Sequence, residues 1–431
     1  MKNRHWVLTL LFFLSMITYI DRVCISVAGP VMQDELGLTQ SDWGWVVGLF
    51  TLSYALFEIP TGAMGDRLGP RVTLSRIVLW WSAFTALTGA VSNFWVLLTT
   101  RFFFGAGEAG AYPNASTTIS RWFPKAQRAR ASSVVWAASR LGGAISPFLV
   151  IPIQKAYGWR TSFFLFGCLG IIWVAVWYWW FRDSPAQKDG TSAAEVAEMA
   201  GDSAPGDAAH HSLPWAAALR SKNYWMILSM YHTYCWGSYF YLSWLHTFLV
   251  KGRGMSQDEM KSLSALPFLV GFCGNLFGGF TSDFLCRRFG FKIGRRVVGA
   301  TGLALSGVCM LATSYTSDRF VSVGLLALGY GFMDCMLPVS WAICLDVGKR
   351  YAGALSGSMN MAGQLGSFCS SVAFGYMVDY FHNYDLPLKM FSGFLFVSAY
   401  LFTRIDPTQE LPLKNLEIPL SASGVLPAVA R

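Results

Sequence analysis

The chain has 431 residues, of which 54% are hydrophobic and only 13% charged, about half the charged share of an average soluble domain. A mean hydropathy of +0.41 and repeated apolar runs of membrane-crossing length exclude a soluble protein with all-buried helices. Nine cysteines without a Cys-x-x-Cys pair suggest neither a disulfide framework nor a zinc site, and the distribution of the +9 net charge argues against nucleic acid as a partner.

In chain order, Met1-Lys-Asn-Arg-His5 leads into an apolar run that continues through Asp21-Arg22 to about Ala28 without a small-residue cleavage site. It reads as a retained first span. Further spans are expected at roughly 43–64, 72–91, 93–118, 131–153 and 160–181. The polar, turn-prone stretch 182–222 then reads as a cytoplasmic linker. Its adjacent His210 and His211 read as loop residues rather than a metal site. Spans resume at 224–249, 261–284, 296–316, 320–345, 352–379 and 388–404, leaving a cytoplasmic tail at 405–431. The expectation is an all-α polytopic membrane protein with twelve transmembrane helices, six in residues 1–181 and six in 223–404. With a cytoplasmic amino terminus, 23 of the 33 Lys and Arg fall on the inner side, seven in outer loops and three within spans. That is the positive-inside bias, with both termini cytoplasmic.

The intramembrane polar residues concentrate in the first half. Asp21 and Arg22 point about 100° apart, so one can face a cavity while the other meets a neighbouring helix. Snorkelling of both to the outer interface is the competing reading. Tyr54 and Glu58 lie in the second span, Tyr54 as a candidate donor to a solute and Glu58 as a candidate partner for a basic loop. In the fourth, Arg101 and Glu108 are seven residues apart, which places both on one helical face about 10 Å apart along the axis. Charges at that depth cost several kcal/mol unless they face a watery cavity or a partner. They therefore either staple two helices or line a transport cavity, and the small residues around Glu108 suit close helix packing. Arg140 is the third intramembrane arginine. Three arginines against Asp21 and Glu108 leave a surplus positive charge in that half, which suggests an anionic solute held by bidentate arginine contacts. In the second half Asp334 is either a further proton site, a partner for Arg140 or a static packing contact. Ser340 and Trp341, which follow it on the same span, are candidate solute-binding residues. Asn360 and Gln364 lie one turn apart on one face, placed to meet the hydroxyls of a polyol-like solute.

Two landmarks recur. Gly62-Ala-Met-Gly-Asp66-Arg67-Leu-Gly69-Pro-Arg71 after the second span matches Gly279-Phe-Thr-Ser-Asp283-Phe-Leu-Cys-Arg287-Arg288-Phe-Gly290 after the eighth. Arg128 before the fifth span matches Arg350 before the eleventh, at nearly the same offset, which implies a duplicated six-helix unit. The first loop resembles the Gly-x-x-x-Asp-Arg-x-Gly-x-Arg signature of the major facilitator superfamily. Tyr19-x-Asp21-Arg22, the Gly-Asp-Arg-x-Gly loop, Arg101-x6-Glu108-x4-Pro113 and Trp122-Phe-Pro-x4-Arg-Ala together resemble its anion:cation symporter branch, which holds sugar-acid and phthalate-type permeases and sialic acid carriers. The resemblance implies a secondary active transporter, a proton-coupled symporter of a sugar acid or aromatic carboxylate. By it, Arg22 and Arg101 engage the carboxylate, Asp21 and Glu108 carry protons, and Tyr19, Tyr54, Asn360 and Gln364 line the pocket. Gly62, Asp66, Arg67, Gly69, Arg71, Arg128 and Asp283 belong to the gating motif. Arg140 and Asp334 have no place in the common pattern.

An organophosphate-for-phosphate antiporter is the alternative carrier, and a transporter-like membrane sensor is a more remote one. No nucleophile–base arrangement, metal-ligand spacing or phosphate loop points to an enzyme, and no cofactor is expected beyond the proton gradient. A monomer in a bacterial inner membrane, with a small anionic solute and protons as its partners, completes the expectation.

Overall fold

The computed structural model describes residues 3–191 and 215–410, with only the backbone of Ile59, Ala63, Asp66, Lys125, Ala126, Ala129 and Arg350. Residues 192–214 of the expected linker, with His210 and His211, and most of the expected tail lie outside the described residues. The described chain is helical. The first half holds α1 (Asn3–Leu36), α2 (Gln40–Leu68), α3 (Pro70–Thr88), α4 (Phe94–Glu108), α5 (Ala111–Trp122), α6 (Lys125–Tyr157) and α7 (Trp159–Trp180). The second holds α8 (Lys222–Ser243), α9 (Ala265–Phe289), α10 (Phe291–Thr313), α11 (Arg319–Gly348), α12 (Ala352–Phe381) and α13 (Asp385–Arg404). In lipid every backbone N–H and C=O has to be satisfied within the segment, and the helix does this locally. Among the described residues, seven helical stretches are long and apolar enough to cross a membrane. The protein is an integral, multi-pass membrane protein.

Local chemistry places the ends. Thr39 and Asp42 form a reciprocal capping box that starts α2, Asn93 caps α4 and Asp318 caps α11. Gly69 at φ 81° ends α2, and Pro70 starts α3 where its missing N–H costs nothing. The fourth expected span is not one helix. Ala109 is extended and Gly110 sits at φ 88°, so the chain breaks between α4 and α5 immediately after Glu108.

Within the first half, α1 packs on α6, α2 on α4 and α3 on α7. Within the second, α9 and α10 pack on α11, and α8 on α12 and α13. The α9–α11 crossing is made by Gly274 and Gly278, four residues apart. A Cβ at these positions would lie 2.0 Å from Gly331 O and 2.1 Å from Cys335 O, so only glycine permits the approach. The halves meet where α2 packs on α12 and α6 on α9.

The face opposite the amino terminus is tied shut between the halves. The Asp379 carboxylate accepts from the Gln40 and Ser41 backbone N–H groups at 3.1 and 2.7 Å and from Ser41 Oγ at 2.5 Å. It therefore caps the positive end of α2 from the other half. Lys251 pairs with Asp34 at 2.7 Å, Lys155 with Asp258 at 2.5 Å, and Ser26 Oγ with His246 Nδ1 at 2.9 Å. At the amino-terminal face the pairs Asp283–Arg295, Arg295–Asp346 and Lys292–Asp406 stay within the second half.

Candidate functional site

The centre of the molecule is a buried charged cluster built by α1, α2 and α4. Arg22 Nε donates to Glu108 Oε1 at 2.5 Å, and the two side chains are 8% and 1% exposed. Glu108 is the last residue of α4, directly before the break, and its carboxylate reaches α1. A Cβ on Gly110 would fall 2.5 Å from Thr61 Oγ1, so the bend is pressed tightly against α2. Arg22 also lies 4.9 Å from the Tyr54 ring, 5.3 Å from Phe50 and 5.6 Å from Tyr19. Arg101 lies 5.0 Å from the same Phe50 ring and 4.4 Å from Phe104, and its Nε has no hydrogen-bond partner. Neither Asp21 carboxylate oxygen accepts a hydrogen bond, though Glu108, Arg101 and Trp81 surround the group. Of the two readings open for the charged helix, the contact present here is the staple between two helices: Glu108 on α4 is held by Arg22 on α1.

A second ionic contact crosses between the halves. Arg140 donates Nη2 to Asp334 Oδ1 at 2.8 Å, its Nε stands 2.8 Å from Oδ2, and Nη1 donates to Tyr330 Oη at 2.9 Å. Arg140 is 6% exposed and Asp334 fully buried. This removes the positive surplus expected for the first half, because the carboxylate that balances Arg140 arrives from the other half. A third contact joins α12 to α2. Asn360 Nδ2 donates to both Glu58 oxygens at 2.7 and 2.8 Å, so Glu58 meets an amide rather than a basic loop, and Asn360 is committed before any solute arrives. Gln364 Oε1 and Trp341 Nε1 are left without partners. Ser340 is buried and its Oγ donates to Leu337 O in its own helix, so it presents no hydroxyl to a cavity.

Aromatic rings that single-residue patterns did not flag continue the site. Tyr112 stacks on Trp136 at 4.6 Å, nearly coplanar at 2°, and Trp136 lies 6.1 Å from Trp341 across the halves. A separate cleft of about 430 Å³ lies between α1 and α7. It is lined by apolar residues such as Phe13 and Trp173 and lies away from the charged cluster.

The gating-motif residues are positioned by a partner hidden in the expected linker. Asp183 accepts from Arg71 N–H at 2.8 Å and stands 3.9 Å from Arg121, while Arg71 Nη2 donates to Tyr178 O at 2.7 Å. A Cβ on Gly69 would strike that carboxylate at 2.7 Å, so Gly69 is required by both its φ and its neighbour. Arg128 Nε donates to Phe123 O at 2.9 Å and Nη2 to Ser120 O at 2.8 Å, bracing the α5–α6 turn. Asp283 pairs with Arg295 at 3.2 Å, Gly62 faces Pro113, and Arg67 is exposed. The Asp66 side chain lies outside the described residues.

The centre of the molecule thus gathers buried ion pairs and a break in the charged helix, with ties between the halves at one face. A profile of the Major Facilitator Superfamily matches residues 11–371. The chain belongs to that superfamily. This facilitator is 35% identical over 410 residues to a probable sulfoacetate transporter, SauU, of Cupriavidus necator, with 94% of each chain covered. It is 29% identical to a hexuronate transporter of Bacillus subtilis, covering 88% of this chain and 89% of the relative. It is also 29% identical to a probable galactarate/D-glucarate transporter, GudP, of Escherichia coli, with 87% of each covered. These curated relatives are transporters, not enzymes. Among solved structures it resembles a bacterial homologue of the human lysosomal transporter Spinster in an inward-facing, unoccupied conformation. The TM-score is 0.77 at 19% identity, covering 94% of this chain and 97% of that one, a likeness of fold.

Proposed function

We propose that this facilitator moves a small organic anion across the membrane together with protons by alternating access. The Arg22–Glu108 pair, with Arg101 beside it and Asp21 unpaired, is the observation that carries the reading. A carboxylate buried against a guanidinium competes with any anion for it, so loading Glu108 with a proton frees Arg22 to accept a solute carboxylate or sulfonate. Arg101 supplies the second charge across Phe50, and Tyr19, Tyr54, Trp341 and Gln364 surround the solute. Asp21, facing Arg101, is the second protonatable group, and Asp334 the third. After release, Glu108 loses its proton and re-pairs with Arg22, which is the arrangement seen here.

Relatives named for sulfoacetate, hexuronate and galactarate or D-glucarate transport support a solute among small organic anions. The closed face opposite the amino terminus corresponds to a state shut to the outside in this reading. The excess of Lys and Arg on the amino-terminal side supports cytoplasmic termini, and the reading keeps twelve crossings in two six-helix bundles at 1–181 and 223–404 with a linker between them. Glu108→Gln tests the coupling in proteoliposomes. Proton-driven accumulation is expected to vanish while counterflow exchange stays measurable, and uphill uptake by that variant would remove Glu108 from the coupling role.

A further inference from the structure

Arg140 and Asp334 repeat, between the halves, the motif that Arg22 and Glu108 make within the first half. In each case one guanidinium is held at rest by one buried carboxylate. The two arginines share a wall of the site. Arg22 Cζ is 5.6 Å and Arg140 Cζ 6.0 Å from the centre of the same Tyr19 ring, so they can be no more than about twice 6.0 Å apart. The groups that face Arg140 from the packed helices are Tyr19, Tyr234, Tyr330 and Asp334. Asp334 holds the arginine by two contacts at 2.8 Å, and Tyr330 Oη accepts a third bond at 2.9 Å. That is the geometry in which a second acidic group of a solute would be taken.

We infer that Arg140 is a specificity-determining residue, the receiver of a second anionic group, and that the preferred solute is a short dianion bridging Arg22 and Arg140. The inference rests on the anion-carrier reading above and narrows it. A bidentate arginine–carboxylate contact occupies about 4 Å between its two central carbons. With the solute on the line between the two guanidinium groups, two such contacts leave about 4 Å or less between its acid groups. In that placement, with bonds of about 1.5 Å, acid groups on the same or adjacent carbons fit better than the ends of an extended six-carbon diacid. Asp334, displaced from Arg140, takes a proton as Glu108 does, so that no unpaired buried anion is left behind.

The test measures binding of malonate, sulfoacetate, glycolate and D-glucarate to the purified full chain by calorimetry. In the wild type, malonate and sulfoacetate are expected to bind at least tenfold tighter than glycolate, with D-glucarate behind them. In Arg140→Gln/Asp334→Asn the cross-half contact keeps its shape and hydrogen bonding but loses both charges. There the malonate-to-glycolate affinity ratio is expected to collapse towards one. A ratio that stays at the wild-type value, whatever the absolute affinities do, makes the pair a static staple and overturns the inference. Should the double variant not fold, Arg140→Lys keeps the charge without the planar fork, and the same ratio is expected to fall several-fold. An unchanged ratio there again overturns it. Wild-type binding of glycolate without preference for the short dianions refutes this inference alone, whereas no binding of any of the four anions refutes the anion-carrier reading as well.

Discussion

Glu58 and Asn360 show how much a single residue depends on what lies across from it. Glu58 is 8% exposed, and both of its oxygens accept from one amide nitrogen on the other half. Removing that amide strands a buried carboxylate. Asn360→Ala is therefore expected to cut transport at neutral pH more than Asn360→Ala combined with Glu58→Gln, because the second change removes the uncompensated charge. Initial uptake rates of the two variants check this, and equal rates would show that the amide acts on the solute rather than on Glu58. Gly110 makes a second point at this scale. Its φ of 88° and the 2.5 Å that a Cβ would leave to Thr61 Oγ1 make alanine unsuitable on two grounds. Gly110→Ala is expected to cost about 1–3 kcal/mol, read as a lower unfolding temperature in detergent. It should also loosen the Arg22–Glu108 contact, because the strained turn lies two residues from Glu108.

At the scale of elements, the ties on the closed face are helix-end contacts. Asp379 on α12 caps the first turn of α2, which joins a charge to the positive end of a 29-residue helix. Asp379→Asn keeps the shape and loses the charge, so it is expected to shift the population towards the state open on that face. Distances between spin labels in the connections 89–93 and 314–318 should lengthen, and an unchanged distribution would show that the capping contact bears no load. The Lys155–Asp258 tie has a pH dependence of known sign. The hydrogen bond from Lys155 holds the Asp258 carboxyl below the usual carboxylate range. A depressed folded pKa means that the tie contributes above the ordinary carboxylate pKa and is lost only as pH falls through the lower folded value. Between about pH 7 and 5 it stays intact, above the ordinary aspartate value. The effect of Asp258→Asn on the same label distances is then expected to be equal at both ends of that window.

For the whole molecule, alternating access requires the closed face to part. A cross-link between cysteines replacing Asp34 and Lys251, which pair at 2.7 Å, is expected to stop counterflow, and reduction is expected to restore it. Counterflow that persisted through the cross-link would mean that the halves do not separate there.

The sequence by itself determined the class of molecule. Apolar runs of bilayer length admit only helices, because unsatisfied backbone in lipid is too costly, and the duplicated loops around Asp66 and Asp283 pointed to the superfamily that the profile match shows. It also picked out the charged residues of the centre, since a charge at that depth is expensive enough to need a purpose. What it could not determine was who pairs with whom. Arg101 and Glu108 share one unbroken helix, α4, as the period requires, but the partner of Glu108 is Arg22 on α1, which no periodicity within α4 can name. Asp334, 194 residues from Arg140, was one of several possible partners in the sequence, and only the packed halves select that pairing. Asp183 read as linker because its partners, Arg71 and Arg121, are close only once α3, α5 and α7 have packed. Helical period is a local property of the chain, whereas ion pairing at depth is set by which helices the bundle brings face to face, and only the tertiary structure holds that information.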